Sequence, residues 1–170
     1  MVPPDAFRRQ VLNHRRDLWQ AQDSVEYAQE IISKERDIGP GQCTRIVNSI
    51  RSVENPLREF YKLLDTPEML PLAARSHRHP LLIILDNATR LLHDLIDNIS
   101  ILHEVYRNSS CQEANFSRQQ ILDQLDAFAQ RKDDIVHNID FLLLKDNCLQ
   151  IERKENIERN TRFRLIKGGV

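Results

Sequence analysis

Apolar residues recur with a seven-residue period in four separate segments of this chain. In the first, Val11, Leu18, Val25 and Ile32 are each seven apart, and Phe7, His14, Ala21 and Ala28 fill the interleaved positions. That spacing lays them along one stripe of an α-helix. Asp5 can cap its start, and Gly39-Pro40-Gly41 stops it. In the second segment Ile46, Ile50, Val53, Leu57, Phe60 and Leu64 step by four and three. Asn55-Pro56 predicts a kink or a division there, because proline lacks a backbone donor and crowds the preceding turn. The third runs through Leu81, Leu85, Ala88, Leu92, Leu95, Ile99, Leu102 and Tyr106, and Asn108-Ser109-Ser110 ends it. The fourth begins near Asn115 and aligns Ile121, Leu125, Phe128, Ile135, Ile139 and Leu142, with Lys132 interrupting at a core-phase position.

Helices are therefore expected over about 5–38, 42–65, 80–107 and 116–146. Ile31, Ile84, Leu91, Ile101, Leu122, Val136 and Leu143 lie beside the stripes and widen each apolar face. The fold expected is all-α, an antiparallel up-down four-helix bundle over 1–149. Its long connection is 66–80, which holds three prolines. Residues 150–170 form a charged extension, with six Lys and Arg against three Glu between 150 and 167. Thr161-Arg-Phe-Arg-Leu-Ile-Lys167 alternates like a strand that can add to a partner's sheet edge, or it is a frayed tail. Helix four continuing as a polar extension is the third reading. Lys132 and His14, polar groups in the core phase, are candidates for fixing register or partner choice.

Composition narrows the class. Aromatic residues are 6% and there are four glycines among 170 residues, which disfavours a strand-rich, many-turned fold. No apolar run approaches the roughly 18 residues of a membrane span. A formal charge of −1 provides no global field for nucleic acid or anionic lipid. Cys43, Cys111 and Cys148 are far apart and odd in number, so neither a disulfide scaffold nor a zinc pair is expected. The N-terminal segment lacks the apolar core of a secretion signal. Glycosylation sequons at Asn87, Asn98, Asn108 and Asn115 are read as chance, and an intracellular, cytoplasmic location is expected.

Candidate chemistry is sparse. His93, one step off the third stripe and followed by Asp94, resembles the phosphoacceptor helix of histidine kinases and histidine phosphotransfer proteins. There the acidic neighbour takes the imidazole proton during phosphoryl transfer. The resemblance covers about 80–150, with Asp97 and Asn98 where that family carries Thr or Asn and then Pro. No glycine-rich nucleotide-binding segment follows, so the resemblance implies a relay or docking role. A solvated histidine beside an acid accounts for the same residues.

Arg131 and His137 resemble the Arg-and-His pair of HEPN-class RNases, which implies a polarised RNA phosphate across a dimer interface. Positions six apart on a helix, however, point about 120° away from each other. Asp94 and Asp97, with Asp123 and Asp126, are similar in layout to the carboxylate pairs of MazG-type pyrophosphohydrolases, although that family mostly uses Glu. No cofactor or resident metal is expected. The function expected is protein–protein interaction: a non-catalytic helical adaptor, assembly or regulatory module, its partner another protein or a second copy. Phosphotransfer at His93 and an RNase using Arg131 and His137 are the alternatives.

Overall fold

In a computed structural model of the protein, the backbone is described for 4–34, 37–65, 75–76 and 78–168, and side chains for 6–34, 37–65, 75–76 and 78–143. The described chain is all-helical, with no strand among the described residues. In order the helices are α1 (Pro4–Lys34), α2 (Pro40–Arg51), α3 (Glu54–Asp65), α4 (Arg78–Ser100), α5 (Leu102–Asn108) and α6 (Cys111–Gly168). Among the described residues no helix is long and apolar enough to cross a membrane.

Local chemistry sets the boundaries. Gly39 and Pro40, expected to stop the first helix, open the next one. Gly39 is extended (φ −80°, ψ 167°), and its N–H donates to Gln42 Oε1 at 3.1 Å. Pro40 then stands where a missing N–H costs nothing. The division expected from Asn55-Pro56 falls at Ser52-Val53, where Val53 N–H donates to the Ile50 carbonyl at 3.0 Å. Pro56 is thereby left in the first turn of α3, where first-turn amides have no intrahelical acceptor.

Three expectations need correction. The third helix is not continuous to 107: it breaks at Ile101, whose carbonyl accepts from both Glu104 and Val105 (3.0 and 3.1 Å). The break turns Ile101 outward, so this residue is 50% exposed instead of widening the core. The fourth helix starts at Cys111 because Ser110 caps it, Oγ accepting the Glu113 N–H at 3.2 Å. Its backbone then stays helical to Gly168, which replaces the strand reading of 161–167. A strand would leave its peptide groups without a neighbour to bond, whereas a helix pairs them internally.

Nearly all the stripe positions are buried; His14 and Tyr106 are half-buried. Ile38, Cys43, Val47 and Ile96 join the core. Of the flanking apolar residues, Val136 is buried, while Ile31, Ile84, Leu91, Leu122 and Leu143 pack partly buried against the core. α1 packs on α2, α3 and α6, and α4 packs on the same three helices. Polar pairs along the α1–α6 seam join Arg15 to Asp140, Gln22 to Lys132, Gln29 to Asp126 and the Ser33 carbonyl to Arg118. Position on α6 falls as position on α1 rises. Continued along α1, that register sets Pro4 opposite about residue 151, so the α6 backbone continues roughly 25 Å further to Gly168.

Candidate functional site

His93 lies on the surface of α4 with its side chain 54% exposed. The carboxylate it meets is not Asp94. Glu54, from the first turn of α3, brings Oε1 to 3.4 Å of His93 Nε2 and also accepts Arg58 Nη2 at 2.8 Å. Asp94 and Asp97 are both exposed on α4. Sequence spacing missed Glu54 because it is 39 residues upstream, and only the packing of α3 on α4 brings the two together.

The other candidates remain separate. Arg131 pairs with Asp134 at 3.4 Å, one turn along α6, and His137 is exposed. The helix is unbroken between them, so their side chains diverge by about 120° and do not meet on one ligand within this chain. Asp123 accepts from Gln119 at 2.9 Å and Asp126 from Gln29 at 2.7 Å, each bonded to a neighbouring amide. Among the described residues no group of three or more His, Cys, Asp or Glu side chains is placed to hold a metal ion.

The outward face of α1 is a different kind of site. Leu12 is 43% exposed, and Trp19, the single tryptophan, is 64% exposed. They are seven residues apart and so lie nearly in line along the helix, while Tyr27, eight residues beyond Trp19 and 39% exposed, is turned about 80° from that line. This row is turned away from the stripe of Val11, Leu18, Val25 and Ile32, each of which is buried. On α6, Phe116 is 73% exposed and Phe141 about half exposed. A large indole in water gives up the transfer free energy that burial supplies, and such side chains are enriched where partners meet. The pattern of alternating stripes could have flagged Trp19, since it is apolar and falls outside the core phase.

No protein-family model matches the chain, and no curated protein or solved structure matches it.

Proposed function

We propose that the chain is a protein–protein interaction module, an antiparallel up-down bundle that binds a second protein surface without performing chemistry. One observation carries the reading: Trp19 is largely solvated on a row with Leu12, although both stand on a helix whose opposite face packs Val11, Leu18, Val25 and Ile32 into the core. Light scattering over a concentration series, read together with Trp19 emission, tests it. Self-association is expected to raise the mass above 20.0 kDa and shift the emission to the blue as the indole is covered. Trp19→Ala is expected to return the mass to the monomer value with helical content retained. A mass unchanged by Trp19→Ala in an associating chain, or a monomer with solvated emission at every concentration and with every candidate partner, overturns it.

The second reading, a phosphotransfer relay at His93, is supported by the exposed imidazole beside a carboxylate from another helix. With phosphoramidate as donor, it requires acid-labile phosphate on the chain that is lost in His93→Ala. Equal incorporation in the variant sinks it.

A further inference from the structure

Where α1 leads into α2 and α5 into α6, the molecule holds a cavity of about 400 Å³ lined by Asp37, Tyr106, Ser109, Cys111, Asn115 and Arg118. Its wall is assembled from three stretches of chain: Asp37 just before α2, the end of α5, and the first two turns of α6. The volume lies at the lower end of the ~300–1,000 Å³ typical of small-molecule sites.

The groups on this wall ask for a polar occupant. The Tyr106 hydroxyl is buried beside the Arg118 guanidinium but makes no hydrogen bond of good geometry among the described residues, an arrangement that a bound donor or acceptor would relieve. Burial also pushes this phenol up, against the opposing pull of Arg118, so it stays protonated and can donate. Arg118 gives one N–H to the Ser33 carbonyl at the end of α1, and a guanidinium carries five. Asp37 forms no ion pair among the described residues, although it lines the same cavity as Arg118. Among the described residues the wall therefore has one fixed cation and one fixed anion. A simple anion would meet repulsion from Asp37, and a simple cation would meet it from Arg118. A molecule carrying both charges can use both groups.

We propose that this cavity binds a small zwitterion of amino-acid size, its acidic group on Arg118 and the Tyr106 hydroxyl and its ammonium on Asp37. The site is independent of the partner-binding row on α1.

Amide spectra of the full chain, titrated with glycine and with 4-aminobutanoate, test the proposal, with acetate and ethylamine as single-charge controls. Saturable shifts at Asp37, Ser109 and Asn115 are expected with a zwitterion, with affinity at least about tenfold above either control. Asp37→Asn, a change at an exposed position, should weaken binding about tenfold without altering the fold, and Arg118→Gln should do the same. As a second readout, saturating zwitterion should slow thiol labelling of Cys111 in a Cys148→Ser background. Three results overturn the proposal. They are no saturable shift up to about 50 mM, which would mean that water alone fills the cavity; equal affinity for acetate; and unchanged affinity in Asp37→Asn.

Discussion

The Lys132 ammonium on α6 donates to the side-chain carbonyl of Gln22 on α1, and Lys132 is the position where a charged side chain enters the buried stripe of α6. Lys132 is 3% exposed, and it also forms an ion pair with Asp133 Oδ1 at 3.2 Å. The pair lies between two further polar contacts, Arg15 with Asp140 and Gln29 with Asp126. Sliding α6 by seven residues in one direction would set Lys132 against Arg15, a like charge. Sliding it in the other would separate Arg15 from Asp140 and Gln29 from Asp126. Apolar stripes alone tolerate such slips; these contacts do not.

Gln22→Leu is expected to destabilise the chain by about 2–3 kcal/mol, since it leaves a buried ammonium short of an acceptor. Gln22→Leu with Lys132→Leu should recover that loss and stand within about 1 kcal/mol of the wild type or above it. Urea midpoints of the four proteins of this cycle check both statements. If the pair also selects the partner, Lys132→Leu alone will change the mass seen in light scattering; an unchanged mass and partner set counts against that role.

His14 gives the chain a pH dependence of known sign. Its ring stacks on Phe60 at 5.3 Å between centroids, and Nδ1 is buried without a partner among the described residues. Burial pushes the imidazole below its ordinary value of 6.5, outweighing the opposite pull of Asp17 and Glu59. The unfolded chain therefore takes up this proton first as pH falls. Stability from this group is complete above pH 6.5 and declines as pH drops from there toward the lowered folded value. Thermal midpoints between pH 8 and pH 5 should show the decline, and His14→Leu should remove this contribution. An identical profile in the variant would show that His14 is not its source.

Ser110→Ala should cost about 1 kcal/mol through loss of the bond to Glu113 N–H, whereas Ser110→Asp should keep most of it. Thermal denaturation of the two variants separates the cap from any general effect of altering the α5–α6 turn.

The thiols are expected to differ widely in reactivity. Cys111 is exposed, while Cys43 is buried and its thiol is pushed up by that burial. In Cys148→Ser, an aromatic disulfide reagent should label one thiol rapidly and the second only under denaturing conditions. Two fast thiols would contradict the packing around Cys43.

The stripes were legible because burying one face of a helix imposes steps of three and four, and residues from Val11 to Leu142 keep to them. Pro56 announced a division for a similarly local reason, a missing donor. The break at Ile101 carried no such mark: apolar residues continue through it, and only the carbonyl bonds to Glu104 and Val105 reveal the turn. The continuation of α6 was masked by an alternation between 161 and 167 that suits a strand only if a partner strand exists. Around His93 the sequence suggested the neighbour at the next position, Asp94, whereas helix packing supplied Glu54. Asp37, Tyr106 and Arg118 had no common signal at all, since three separate stretches of chain meet only at the end of the fold.

Fifty-eight residues of unbroken helix give α6 a length of about 87 Å, against roughly 46 Å for the 31 residues of α1. A particle with one axis of that length does not tumble as a sphere of the same mass. Its frictional ratio in sedimentation will exceed that of a compact chain of 20.0 kDa, and size exclusion will overstate its mass unless light scattering is read alongside. Amide relaxation rates along α6 will depend on the angle between each N–H and the long axis. The far end at Gly168 also sweeps a wider arc than any other described point, so a fluorophore attached there would convert docking of the bundle into a large change in anisotropy.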